Sequence, residues 1–403
     1  MDNHISDIYI RSFRGISNLE LKDIKLINIL TGDNNGGKTS VLEVIQSIKN
    51  PCDFRTWRSL IRRGERISVI RGMSYYEGFF DLFDINKEEK TIEYDVCLIN
   101  GQKYNVKVMA ERVEEEIMEK DLVKLQGGYN AMDEDSLQDN LVSFIFLKVL
   151  INWINLIYTN SIYKTVQLRR ILIKKKAVSK LNLKTFLDGT EMMEDSLYEG
   201  QMRYIPEEVK EDKNFVEKIV YVSPIRHAEG NFYLSQILAY PEMYEQMLQV
   251  LKEYDEDIIS INYDDNERRI GNGTYKILSK SNKKALPLNV YGDGMKKAIL
   301  LMSAVIAAKD GILLLDEFET AIHTSAMNKT FKWIIESCKK LNVQVFMTSH
   351  SKEAIDKVLK CSTECIDDMA VYTLYKDSEG TSVRRLDGKM AIEAQDEMGL
   401  ELR

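Results

Sequence analysis

The chain has 403 residues, 44% of them apolar, and a formal net charge of −8. That is long enough for one large or two ordinary domains with a packed core, and it excludes a protein that coats nucleic acid through bulk positive charge, leaving only a local contact open. Cys52, Cys97, Cys338, Cys361 and Cys365 form no paired framework and suit a reducing compartment; Cys361 and Cys365 have no second pair at zinc-ligand spacing. The opening MDNHISDIYIRSF carries acidic residues and no long apolar core, so it does not read as a signal peptide, and a cytoplasmic protein is expected.

In chain order, KLINIL (Lys25–Leu30) is an apolar run of strand length, and SVLEVIQSI (Ser40–Ile48) places Val41, Leu42, Val44, Ile45 and Ile48 on one helical face. Between them, TGDNNGGKTS fits the phosphate-loop pattern G-x-x-x-x-G-K-[ST] with Gly32, Gly37, Lys38 and Thr39. Gly32, Asn34, Asn35, Gly36 and Gly37 allow backbone N–H groups to converge on a phosphate chain. The helix beginning at Lys38, Thr39 and Ser40 adds its positive end; Lys38 can reach the β- and γ-phosphates and the Thr39 hydroxyl can hold Mg²⁺.

TIEYDVCLINGQKYNVKV alternates apolar and polar residues on either side of Asn100-Gly101, as a hairpin does. From Glu111 to about Lys218 the pattern is charged and is expected to be helical. LVSFIFLKVLINWINLIYTN (141–160) nearly matches a membrane span. Lys148, Asn152 and Asn155, and its place inside a split domain, favour a buried or interface helix. Lys164–Lys184 contains eight Lys/Arg and no acid, with Tyr163 and Phe186 flanking it; this is either a solvated face or a surface for nucleic acid or an acidic partner. KIVYVSP (Lys218–Pro224) returns to core-like strand.

Further on, Gly292 and Gly294 break the chain before a helix from about Met295 to Ala308, so backbone N–H groups again face outward as an anion site. One protomer needs only one phosphate loop, so this helix end, with Asp293 between its glycines, is expected to cap the γ-phosphate held by a second copy. Ile312–Leu315 is an apolar strand ending in Asp316 and Glu317, carboxylates suited to holding Mg²⁺ and to polarising the attacking water. Val343–Met347 is another, and His350 just beyond it falls at the carboxyl edge of a parallel sheet, in reach of a γ-phosphate.

GDNNGGKTS, YGDGMKK, LLLDEFETAIH and TSHS together resemble the ABC-type ATPases of the SMC/Rad50 branch, and more narrowly the AAA15 and OLD-like ATPases of bacterial defence systems. The resemblance covers roughly residues 5–50 and 285–360. It implies an α/β, ABC-type P-loop NTPase fold with an N-terminal antiparallel β-subdomain and a helical insertion, divided as 1–110, 111–217 and 218–403. It also implies Lys38 and Thr39 as Walker A, Asp316 and Glu317 as Walker B, Gly292–Gly294 as the signature and His350 as the switch histidine. ATP and Mg²⁺ follow as cofactors, and a homodimer or larger homo-oligomer as the working form. The implied role is the sensor and scaffold subunit of an anti-phage system whose effector, a nuclease or toxin, is a separate chain; the 53 residues after His350 are too few for a nuclease domain of about 100 residues. Tyr291 stands where the signature usually has serine, which leaves the contact across the dimer to backbone and Lys296 or Lys297, and no Q-loop glutamine is assigned. An SMC-like DNA-repair ATPase is the runner-up, disfavoured by an insertion without sustained heptads. A transporter's nucleotide-binding subunit is a third reading, and the chain has no N-K-x-D of a GTPase.

Overall fold

The computed structural model describes residues 4–61, 74–118, 121, 175–201, 216, 218–229, 232–264, 274–376 and 380–397. The apolar stretch 141–160 and residues 164–174 of the basic run lie outside the described residues. The chain divides into two compact units: Met1–Pro51, Glu93–Asn105 and Asp212–Arg403 form one, Cys52–Ile92 and Val106–Glu211 the other.

The first unit opens with β1 (Ile5–Phe13) and β2 (Ile16–Leu21), an antiparallel pair, followed by β3 (Ile27–Gly32) and α1 (Lys38–Ser47). Within the second unit, α2 (Phe54–Ser59) starts at Asp53, whose side chain accepts from the Arg55 N–H, and α3 (Tyr75–Phe80) starts at a Ser74/Glu77 capping box. β4 (Lys90–Leu98) turns through Asn100-Gly101, with Gly101 at φ +86°, into β5 (Lys103–Met118), so the hairpin read from the alternation is present. β6 (Lys175–Leu187) and β7 (Thr190–Tyr198) complete an antiparallel β5-β6-β7 arrangement.

Here the structure corrects the sequence reading. Glu111–Met118 and Lys175–Tyr198 lie in or between strands, where a helical insertion was expected. The glutamates of ERVEEEIM and the lysines of β6 are neighbours across the ladder: Lys180 pairs with Glu115 at 2.9 Å and Lys175 with Glu116 at 3.9 Å, while Lys184 reaches Glu191 at 3.1 Å and Glu194 at 3.5 Å. Opposite charges on adjacent strands supply the stabilisation that Glu and Lys lack as isolated strand formers. The described part of the basic run is thereby largely charge-compensated.

Back in the first unit come β8 (Ile219–Val222), the one-turn α4 (Leu234–Ile237), α5 (Pro241–Leu251) and a small antiparallel sheet of β9 (Ile258–Asp264), β10 (Thr274–Ser279) and β11 (Leu286–Pro287). Then α6 (Asp293–Ala307), β12 (Ile312–Leu315), α7 (Thr324–Lys340), β13 (Gln344–Thr348), α8 (Lys352–Lys360), β14 (Met369–Lys376), β15 (Thr381–Asp387) and α9 (Gly388–Asp396) follow. The main sheet has the order β15-β14-β3-β13-β12-β8; every pair except β14-β15 is parallel. β3, β12 and β13 are buried at every position, which is why they read as mainly apolar runs rather than as alternating ones. α6 is apolar almost all round beyond its first turn and packs with α5 and α7 in the core, where Phe318 and Phe331 meet edge-to-face at 5.0 Å. Among the described residues no helix is long and apolar enough to cross a membrane.

Candidate active site

Four parallel neighbours, β3, β13, β12 and β8, end at the same edge of the sheet, with Leu30 beside Thr348, Met347 beside Leu315 and Leu315 beside Val222. Open α/β sheets bind ligands at the carboxyl ends of their strands, and these four ends carry the phosphate loop, the His350 segment, Asp316-Glu317 and Ser223-Pro224.

The loop depends on two glycines. Gly32 has φ +126°, and a Cβ there would lie 2.0 Å from the Leu374 carbonyl oxygen of β14; Gly37 has φ +97°, and its Cβ would lie 3.0 Å from Ile16 Cγ1. Asn35 takes the left-handed conformation as well, at φ +69°. Asp33, Asn34 and Asn35 are exposed, Gly36 is buried, and α1 begins at Lys38 with no side-chain cap. The first N–H groups of α1, through Thr39 and Ser40, therefore have no intrahelical partner and are oriented for an anion. Lys38 is buried and folds back over the loop: its Nζ donates to the Gly32 and Asp33 carbonyl oxygens at 2.7 and 2.8 Å. Burial pulls its pKa below the usual lysine value, opposed by the charges of Asp33, Asp316, Glu317 and Glu319.

Asp316 is the meeting point. Its Oδ1 accepts from Thr39 Oγ1 at 3.2 Å and from Thr348 Oγ1 at 2.6 Å, and its Oδ2 accepts from Tyr221 OH at 3.1 Å. Thr348 Oγ1 also receives the Glu317 N–H at 2.8 Å, which fixes Glu317 in a left-handed conformation, φ +43°, that a non-glycine residue rarely adopts. The Glu317 and His350 side chains are half-exposed, with Glu317 Oε1 4.0 Å from His350 Nε2. A hydroxyl and a carboxylate oxygen adjoining a phosphate loop form the hard-oxygen donor set that suits Mg²⁺, which ordinarily takes only one or two protein ligands beside phosphates and water. The residues present thus fit that ion.

The structure brings the phosphate loop, Asp316, Glu317 and His350 to one edge of the sheet. Gly292, Asp293 and Gly294 share no hydrogen bond or ion pair with the phosphate loop among the described residues. The helix begins at Asp293 with Gly292 as its cap, one step earlier than Gly294, and Asp293 pairs with Lys296 at 2.6 Å. A Cβ on Gly292 meets nothing within 4 Å, whereas one on Gly294 would lie 3.0 Å from the Ala321 carbonyl oxygen and 3.3 Å from Tyr254 Cε1. Lys297 is not available to another chain. It is fully buried, its Nζ donates to the Pro224 carbonyl at 3.2 Å, and burial lowers its pKa to about 8 against the pull of Glu319, Asp316 and Glu317.

Sequence reasoning missed three contributors, Tyr221, Thr348 and Glu319, and gave Lys297 a different role, in a contact across the dimer. The three carry a weak local signal, a polar group in or at the end of an apolar strand or a second acid in DEFET, and acquire their partners only through the sheet order.

Residues 4–355 match AAA_15, described as an AAA ATPase domain. The chain is 22% identical over 364 residues to the ATP/GTP phosphatase of Helicobacter pylori, covering 87% of this chain and 86% of that protein. A Rad50 ATPase of Methanopyrus kandleri is 39% identical over 66 residues, 16% of this chain and 8% of that protein, and RecF of Nitrosococcus oceani is 45% identical over 53 residues, 13% of this chain and 15% of RecF. An SMC head solved with the C-terminal winged-helix domain of ScpA aligns over 97% of this chain and 99% of its own at 11% identity, with a TM-score of 0.47. A complete phosphate loop joined to an acidic strand end, in a chain matched over most of its length, leads to one assignment: the protein belongs to the AAA_15 family of AAA ATPase domains and is an ATPase that converts ATP and water to ADP and phosphate.

Proposed function

We propose that the chain hydrolyses ATP with Mg²⁺ at a site completed by a second copy, and that it serves as the sensor and scaffold subunit of a bacterial anti-phage system with a separate nuclease or toxin effector. The observation that carries the catalytic part is the convergence of Thr39, Thr348 and Tyr221 on the Asp316 carboxylate, with Glu317 and His350 side by side next to it. In this reading Thr39 and Asp316 would hold Mg²⁺, which would supply neutralisation of phosphate charge. Lys38 leaves its loop carbonyls for the phosphates, Glu317 orients and deprotonates the attacking water, and His350 contacts the γ-phosphate. Gly292, Asp293 and Gly294 cap the γ-phosphate of the partner copy, a role supported by the open space around Gly292 at the start of α6. The defence role is supported by the resemblance of the motif set to AAA15 and OLD-like ATPases.

Glu317→Gln tests it. Nucleotide binding should persist, turnover should fall by about a hundredfold or more, and gel filtration with ATP and Mg²⁺ should show an accumulated dimer or larger assembly. Near wild-type hydrolysis would remove Glu317 from the reaction. For the biological role, cells carrying the gene with its neighbouring effector gene should resist phage, and the same pair with Glu317→Gln should lose or alter that resistance. The local matches to Rad50 and RecF favour a second reading, a DNA-repair ATPase. DNA-stimulated hydrolysis without phage protection would decide for it.

A further inference from the structure

Glu319 stands three residues after Asp316 and uses only half of its carboxylate. Oε1 accepts from Ser349 Oγ at 2.8 Å and from the His350 N–H at 3.1 Å, so this one oxygen holds the backbone and the side chain of the segment that presents His350. Oε2 is buried and has no hydrogen-bond partner among the described residues. Leaving a charged oxygen in that state costs free energy unless a positive charge lies near it.

Such a charge exists. Lys297 on α6 is fully buried; its ammonium has a single hydrogen-bond partner, the Pro224 carbonyl, and no carboxylate at ion-pair distance among the described residues. A buried ammonium held by one neutral carbonyl is as poorly provided for as the Glu319 oxygen. The segment that carries Glu319 lies against the first turn of α6, where a Cβ on Gly294 would come 3.0 Å from the Ala321 carbonyl oxygen, and of the carboxylates favouring the charged form of Lys297 that of Glu319 acts most strongly. The two incomplete groups therefore answer one another, and one belongs to the helix whose N-terminus carries Gly292 while the other grips His350.

We propose that Glu319 is a positioning residue that couples α6 to the His350 segment: Oε1 fixes Ser349 and His350, and Oε2 is the counter-charge for the buried Lys297. A shift of α6 is then felt at His350 through one rigid carboxylate. The inference rests on the reading of His350 as the γ-phosphate contact.

Glu319→Gln keeps an acceptor for Ser349 and His350 but replaces the counter-charge with an amide, and Lys297→Met removes the ammonium while keeping an unbranched chain. In the full-length protein each change should lower kcat by about tenfold and leave the affinity for a non-hydrolysable ATP analogue within about threefold. The double variant should be no slower than the slower single one, because both remove the same pair. Independent multiplication of the two effects, or a loss of nucleotide affinity in step with kcat, would overturn the coupling. Should either buried change prevent folding, Ser349→Ala, which deletes one donor to Oε1, must still lower kcat by about threefold with KM unchanged; an unchanged kcat there overturns the proposal. Glu317→Gln assayed in parallel separates the two levels: wild-type turnover in that variant fails the site reading itself, whereas an inactive Glu317→Gln beside normal Glu319 variants fails only the coupling.

Discussion

At the residue scale, Asp316 is the most densely supported atom group of the site, with three hydroxyls on its two oxygens. Two of them, from Thr39 and Thr348, share Oδ1, so Tyr221 alone holds Oδ2 among these contacts. A hydrogen bond to a charged group is worth about 1.5–3 kcal/mol. Tyr221→Phe should therefore lower kcat by about tenfold and raise the Mg²⁺ concentration needed for half-maximal rate, with metal-free nucleotide affinity unchanged; a Mg²⁺ titration of the rate checks it. Lys38 is the opposite case, a side chain whose present partners, the Gly32 and Asp33 carbonyls, can be exchanged for phosphate oxygens. Lys38→Ala should weaken ATP binding by about a hundredfold or more, read by calorimetry. Unchanged affinity would contradict the placement of the phosphates in this loop.

The element that decides between a site within one chain and a shared site is α6. Its N-cap Gly292 has φ −63° and ψ 154°, a conformation open to any residue, and its Cβ position is empty. Gly294 is a poorer probe, because a side chain there would press on the Ala321 carbonyl and Tyr254. Gly292→Arg should thus leave melting temperature and ATP binding near wild-type and abolish turnover, since the added side chain blocks only what docks on the helix end. Mixing it with Lys38→Ala should restore hydrolysis: one composite site receives both defects, the other pairs an intact phosphate loop with an intact α6. Full activity of Gly292→Arg alone would refute capping across a dimer.

For the whole molecule, the basic run of β6 shows how tertiary neighbours change the meaning of charge. Lys180 and Lys184 are bound to Glu115, Glu191 and Glu194 on the adjoining strands. These ion pairs are half-exposed, so their contribution is modest and falls with salt. Reversing both lysines to glutamate should lower the melting temperature by a few degrees in low salt and by less in high salt, and should leave DNA retention in a gel-shift assay as it was. A selective, salt-dependent loss of DNA retention would instead return this strand to the nucleic-acid reading.

The phosphate loop, the Asp316-Glu317 strand end and the hairpin at Asn100-Gly101 were legible in the sequence because each is local: its spacing fixes which backbone groups and side chains meet. The same holds for β3, β12 and β13, whose burial on both faces leaves a mainly apolar run without alternation. ERVEEEIM was misread as helix because its glutamates favour helices in isolation, and only β6, more than fifty residues away, makes a strand of it. The roles of Tyr221, Glu319 and Thr348 were not legible for the same reason, and Lys297 was read as a contact across the dimer where the fold buries it. Tyr221, Glu319 and Thr348 lie between 30 and 95 residues from the partners that give them a role, and the sheet order β3-β13-β12-β8, which no local pattern encodes, brings them to one edge.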